Sequence, residues 1–213
     1  LSPAKRKISN VLISGLGGSG IGGTIVAELV ALEAAVPILV SKGYFIPKFV
    51  NENTLVIISS YSGNTEETLN CLELSLKRKA KIVCVTSGGK IAEIAAKKKL
   101  DLISIPGGNP PRACLGYSLT QLFIVLAYHK IISNKFNSQL KSAINLIEKQ
   151  EKNIIAEAKS ITEKLYGKTP MIYATTYFEG VAIRLRQQIN ENSKMLCGHQ
   201  VIPEMNHNEL VGW

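Results

Sequence analysis

The chain has 213 residues, 46% of them hydrophobic, with a formal charge of +9, a balance that fits one full globular domain and part of a second. It holds no run of about 18 apolar residues, and its opening, LSPAKRKISN, is too polar and charged for a secretory signal, so a soluble chain with no membrane partner is expected. The positive charge is scattered along helical stretches (Lys77-Arg78-Lys79, Lys97-Lys98-Lys99, Lys149, Lys152, Lys159) without interleaved aromatics or a base-reading motif, which argues for solvated helix faces and against a nucleic-acid partner.

Strand-length apolar runs alternate with helix-period stretches, the pattern of a parallel sheet with crossover helices. Strands are predicted at 11–15 (VLISG), 36–41 (VPILVS), 54–59 (TLVIIS), 81–86 (KIVCVT) and 101–106 (DLISIP), with helices near 21–35, 65–79 and 90–99. Two further helical segments follow at 112–132 and 137–166, the second strongly amphipathic and stopped by Gly167. A strand at 170–176 (PMIYATT), a helix over EGVAIRLRQQINENSK and a loop towards NHNELVGW then open a second α/β unit. The expected organisation is a first domain over 1–167, including its trailing helices, and the start of a second over 168–213. The start at Leu1 and the apolar Leu210-Val211-Gly212 before Trp213 add the expectation that sequence is missing at both ends.

Cys71, Cys84, Cys114 and Cys197 are widely separated, with no C-x-x-C pair, and read as reduced, packed thiols of a cytoplasmic protein. Together with three dispersed histidines they offer no metal-ligand spacing, so no metal and no cofactor are expected.

The turn after the first strand is GLGGSGIGG, in which Gly15, Gly17 and Gly20 fit G-x-G-x-x-G. Dinucleotide sites complete that fingerprint with an acidic residue about 20 positions on, at the end of the second strand. Here that strand ends Ser41-Lys42-Gly43, and Lys42 leaves open only a dinucleotide bearing a ribose phosphate. The turn after the third strand, SSYSGNTEE, offers a different site: the hydroxyls of Ser60, Ser62 and Thr65, a flexible Gly63 and a helix N-terminus are the parts of a phosphate cradle. The plain alternative is that Ser62, Asn64 or Thr65 caps the helix. In a flavodoxin-like 2-1-3-4-5 sheet, strands one and three are neighbours and both loops face the topological switch point. Gly18 and Ser19 then join Ser60, Ser62 and Thr65 around one phosphate monoester.

The ordered set GLGGSGIGG, SYSGNTEETL, PPRA, NENSK and E-x-NHNE resembles the bifunctional phosphoglucose/phosphomannose isomerases of the sugar isomerase (SIS) superfamily, from about residue 10 to the C-terminus. The resemblance implies an SIS-type αβα sandwich and an aldose-ketose isomerase acting on glucose 6-phosphate, and on mannose 6-phosphate, through an enediol. It also implies that Glu191 is the proton-shuttling base, that His207 opens the ring, and that Arg112 steadies the enediolate. By the same resemblance the protein is a homodimer with His207 brought across the interface. The family also uses a lysine near the end of its second domain, for which this chain offers no residue. Residue chemistry supports the assignments: a carboxylate suits proton transfer at carbon, and an imidazole gives and accepts protons near neutral pH. Arg112, at a helix start after the fifth strand, is a cation where the helix dipole disfavours one. Glu179, Glu204 and Glu209 compete for the base, while His129 and His199 read as structural or loop residues. Two rivals stay open: a non-catalytic sugar-phosphate-binding module and an amino-sugar phosphate isomerase.

Overall fold

The computed structural model describes residues 1–212, which form two compact units, Leu1–Ile132 and Ser133–Trp213. The first unit is a parallel sheet of five strands: β1 (Asn10–Ser14), β2 (Ile38–Ser41), β3 (Thr54–Ser59), β4 (Lys81–Thr86) and β5 (Asp101–Ser104). Their order is β2-β1-β3-β4-β5, as the two loops implied. Central strands of such a sheet are covered on both faces and therefore carry continuous apolar runs. In β3 all six residues are buried, and in β4 all but Lys81.

Four helices cover the sheet: α1 (Gly17–Leu29), α2 (Glu66–Lys77), α3 (Gly89–Lys98) and α4 (Leu115–Tyr128). Leu12, Val56, Ile58, Ile82 and Cys84 turn to one face and pack with Cys71, Leu72, Ile91 and Ala95 of α2 and α3. On α1, Gly22 faces Leu115, Ser118 and Leu122 of α4, while Gly23 faces Ile13 and Val40 of the sheet. The layering is αβα. All four cysteines are free and buried, and burial pushes the Cys84 thiol up to about 12.

The helix boundaries differ from the sequence expectation in instructive ways. α1 begins at Gly17, four residues earlier than the apolar periodicity indicated, because its first turn is built from glycine and serine. A methyl group on Gly20 would lie 2.4 Å from the Gly15 carbonyl oxygen, so only glycine lets the helix start this close to the end of β1. The stretch 112–132 is a short 3-10 turn, Pro111–Ala113, followed by α4. α2, α3 and α4 are each followed by a lysine in the left-handed conformation: Lys79, Lys99 and Lys130. These cations lie at the negative ends of helix dipoles, which accounts for part of the chain's positive charge without a polyanionic partner.

The second unit contains α5 (Phe136–Leu165), β6 (Met171–Thr175), α6 (Glu179–Gln188) and β7 (Gly198–Ile202). β6 and β7 pair in parallel, Met171 opposite Gly198 through Thr175 opposite Ile202, with α6 in the crossover. Two sequence expectations are corrected here. The loop towards NHNELVGW contains β7, and the helix starting at Glu179 does not run unbroken to Lys194 but gives way after Gln188 to a π-helical turn, Ile189–Ser193. No described helix is long and apolar enough to cross a membrane.

Gly63 has a φ of 67°, and a methyl group on it would lie 1.8 Å from the Gly88 carbonyl oxygen. Gly63→Ala is therefore expected to cost on the order of 2–4 kcal/mol, from left-handed strain plus a backbone clash. Gly108→Ala, at a φ of 84° but with open space around it, is expected to cost about 1 kcal/mol. Urea unfolding of both variants checks the difference.

Lys81 Nζ lies 2.6 Å from Asp101 Oδ2, joining β4 to β5 with both side chains largely buried. Burial would raise the Asp101 carboxyl, but hydrogen bonds from Lys81 and the Ser2 amide outweigh it and hold the group below its ordinary value. A depressed carboxyl contributes stability above its unfolded-state value and loses it as pH falls through the folded-state value. Asp101→Asn is expected to flatten the acid limb of the stability curve, measured by thermal melts between neutral pH and pH ~3.

Candidate functional site

The two loops predicted to face one ligand are joined at the carboxyl edge of the sheet. The Tyr61 amide donates to Ser19 Oγ at 3.2 Å, linking the β3–α2 loop to the first turn of α1 across the seam between neighbouring β1 and β3. Ser19 and Ser60 are buried, at 9% and 2% exposure, so their hydroxyls have fixed surroundings. Ser60 Oγ accepts from the Gly63 amide at 3.2 Å and lies 3.1 Å from Thr65 Oγ1.

Thr65 occupies the N-cap position of α2 yet makes no side-chain capping bond. The plain capping alternative therefore does not describe it: its hydroxyl pairs with Ser60. Since one proton suffices for that pair, the second remains available to an anion. Asn64 does cap a helix, but the neighbouring one: its Oδ1 accepts from the Lys90 amide in the first turn of α3 at 3.0 Å. Ser62 is exposed, and its hydroxyl accepts from the Asn64 amide at 3.3 Å. Gly18 lies in the first turn of α1, before the Gly20 amide makes its bond to Leu16 O. Amides of such a first turn have no intrahelical partner and carry the positive end of the dipole. Two helix N-termini and a hydroxyl pair thus surround the seam, an arrangement suited to a dianionic oxyanion such as a phosphate monoester.

Tyr61, which the sequence reading did not single out, is the strut of this region. Its carbonyl accepts from Ser87 N at 3.0 Å and Ser87 Oγ at 2.6 Å, and its hydroxyl accepts from the Asn109 amide at 3.1 Å. The Cys114 thiol beside that hydroxyl, together with burial, holds the phenol above its ordinary value. Through Asn109 the strut anchors the loop that carries exposed Arg112, three residues later in the Pro111–Ala113 turn.

The remaining candidates belong to the second unit. Glu191 is exposed in the middle of the π turn, which ends at Lys194 in the left-handed conformation. His207 is exposed at the end of a 3-10 turn, Glu204–His207. Glu204 Oε1 accepts from Asn208 Nδ2 at 3.2 Å, and Glu209 Oε1 accepts from the Tyr173 hydroxyl. His199 stands on β7, with Nδ1 at 3.2 Å from Arg186 Nη1 and Nε2 at 3.8 Å from Glu179 Oε1. Its place on a strand differs from the loop expected from the sequence. His129 follows α4, half-buried, with burial pulling its imidazole below its ordinary value. Among the described residues, no three His, Cys, Asp or Glu side chains are placed to hold a metal ion.

Comparison with known proteins matches residues 154–213 to the bacterial phospho-glucose isomerase C-terminal SIS domain. The bifunctional phosphoglucose/phosphomannose isomerase of Caldicellulosiruptor bescii is 42% identical over 215 residues, covering 96% of this chain and 62% of that protein. Over nearly its whole length the chain is similar to bifunctional phosphoglucose/phosphomannose isomerases. It spans about three-fifths of the length of those relatives. A further relative, the D-glucosamine-6-phosphate 4-epimerase of Sulfolobus acidocaldarius, is 32% identical, covering 98% of this chain and 65% of its own. Among solved structures, the C-terminal domain of glucosamine-fructose-6-phosphate aminotransferase from Francisella tularensis superposes with a TM-score of 0.75 at 20% identity, covering 96% of this chain and 61% of that one. At that identity the likeness concerns the SIS fold.

Ser60→Ala removes one partner of the hydroxyl pair and one of the two acceptors of the Gly63 amide, which keeps the Ser60 carbonyl. It is expected to weaken binding of a phosphate monoester by about tenfold or more, the loss of a hydrogen bond to a charged group. Calorimetric titration measures it; unchanged affinity would separate the hydroxyl pair from ligand binding.

Proposed function

We propose that this chain supplies the phosphate cradle and part of the acid-base machinery of an aldose-ketose isomerase, interconverting glucose 6-phosphate, and mannose 6-phosphate, with fructose 6-phosphate. The observation that carries the reading is the junction of Ser19, Ser60 and Thr65 at two helix N-termini, in a chain similar to bifunctional phosphoglucose/phosphomannose isomerases. Gly18 and Ser62 complete the cradle. The cradle orients the sugar and takes no part in bond making.

In this reading His207 moves a proton between the anomeric hydroxyl and the ring oxygen, opening the ring. Glu191 takes the proton from C2 and the electron pair passes to the C1 carbonyl oxygen as the enediolate forms; the O2 proton passes to O1 as the same carboxyl returns a proton to C1, leaving the carbonyl at C2. Arg112 offers its guanidinium to the oxyanion. Glucose and mannose 6-phosphates differ only at C2, so their open forms lead to one enediol. Rotation about the C2–C3 bond before proton transfer admits both to a single site. The chemistry asks for no cofactor.

The reading extends to the whole protein: a cytoplasmic homodimer, with His207 contributed across the subunit boundary. Residues 1–167 form the first SIS domain with its trailing helices and residues 168–213 the start of a second. The match to a C-terminal SIS domain begins at residue 154 and the compact units part at Ile132 and Ser133, both ahead of that boundary.

The rival with an observation behind it is chemistry on an amino-sugar phosphate, favoured by the epimerase relative. The deciding experiment follows fructose 6-phosphate formation from each aldose 6-phosphate by the intact protein, with EDTA present. Turnover of both sugars, lowered by about 10³-fold or more in Glu191→Gln, is expected. Turnover confined to amino sugars would favour the rival, and sugar-phosphate binding without turnover would leave a binding module.

A further inference from the structure

The turn that follows β2 has no part in the chemistry above, and it stands beside the cradle. Ser41, the last residue of β2, pairs with Ser14 of β1, and its carbonyl accepts from the Gly15 amide at 3.2 Å. Lys42 therefore leaves the sheet level with the start of the glycine turn. Its backbone is pinned on the other side by α2: the Gly43 carbonyl accepts from the Cys71 thiol at 3.3 Å and the Tyr44 carbonyl from Asn70 Nδ2 at 2.6 Å. Ser41 Oγ closes the turn by donating to the Phe45 carbonyl at 3.1 Å. Lys42 is exposed, yet its stem lies against the first turn of α1: a methyl group on Gly20 would lie 3.5 Å from Lys42 Cγ. A lysine laid in this way keeps its methylenes on the protein and carries a mobile ammonium at the tip.

The cradle described so far carries no formal charge, since Gly18, Ser19, Ser60, Ser62 and Thr65 offer only amides and hydroxyls. A phosphate monoester brings about two negative charges at neutral pH. The two helix ends at the seam differ in what they add to that. α2 carries Glu66 and Glu67 in its first turn, and these carboxylates, Glu66 foremost, hold the Tyr44 phenol above its ordinary value. α1 has no acidic residue in its first turn. Compensating charge for a dianion is thus best placed on the α1 side, where the Lys42 stem runs, and an ammonium there makes a charge-assisted hydrogen bond to a phosphate oxygen.

We propose that Lys42 is the cationic member of the cradle, meeting the phosphate from the α1 side and giving the site its preference for a doubly charged ester. The proposal rests on the reading of the two loops as a phosphate site. The phosphate of the substrate itself then takes the place beside Lys42 that a ribose phosphate would take in a dinucleotide site.

The test is calorimetric titration of the intact protein and its Lys42→Met, Lys42→Arg and Lys97→Met variants. Two probes are used, glucose 6-phosphate and glucose 6-sulfate, which differ in charge on nearly the same shape. The wild-type protein is expected to bind the phosphate more tightly. Lys42→Met is expected to weaken the phosphate by about tenfold or more, the loss of a hydrogen bond between charged groups. It weakens the sulfate by less, because the Coulomb attraction scales with the charge of the probe, so the preference narrows. Lys42→Arg keeps the cation and is expected to retain most of the affinity and the preference. Lys97→Met, which removes the same charge from the last turn of α3, is expected to change neither. Unchanged phosphate affinity in Lys42→Met overturns the proposal. An equal loss of both probes that Lys42→Arg fails to restore also overturns it, because it marks a structural residue. Failure of the wild-type protein to bind either probe would instead remove the cradle reading itself, a separate outcome.

Discussion

The hydrogen bond from the Tyr61 amide to Ser19 Oγ crosses the seam between β1 and β3, and the candidate site is organised around it. It exists because the order β2-β1-β3-β4-β5 makes those strands neighbours, so the loops leaving their carboxyl ends meet. Glycine then decides how closely they meet. Gly20 lets α1 start against the end of β1, and Gly63 lets the β3–α2 loop lie against the carbonyl of Gly88. A side chain at either position would push a helix N-terminus out of the seam.

Polar groups around the seam divide their work. Asn64 leaves its own helix and caps α3, which fixes the β4–α3 loop. Tyr61 spans from Ser87 to Asn109, which fixes the loop bearing Arg112. With these duties met elsewhere, Ser60 and Thr65 keep hydroxyl capacity for an outside anion. A rigid cradle of this kind suits a reaction whose bond changes occur at the opposite end of an open sugar chain, because it orients the substrate without taking part in the proton transfers.

Much of this was legible in the sequence, and the legible part has a common physical origin. Buried parallel strands read as unbroken apolar runs, so all five strands of the first unit and their order followed from TLVIIS, KIVCVT and the two glycine-containing turns. β7 was missed because Gly198, His199 and Gln200 are polar or small and only half-buried, which reads as loop. The π turn was missed because INENSK continues the helical composition of α6 while its hydrogen bonds lengthen. The use of Asn64 for α3 and of Tyr61 as a strut depends on neighbours that come together only in the fold. The same holds for the partners of His199, Arg186 and Glu179, which it meets through the β6–α6–β7 crossover.

The most direct test of the account is a crystal structure of the intact protein with glucose 6-phosphate bound. The account places the phosphate group within hydrogen-bonding distance of Ser60 and Thr65, at the N-termini of α1 and α2. A phosphate bound away from the β1–β3 seam, with those two hydroxyls still paired only to each other, would contradict it.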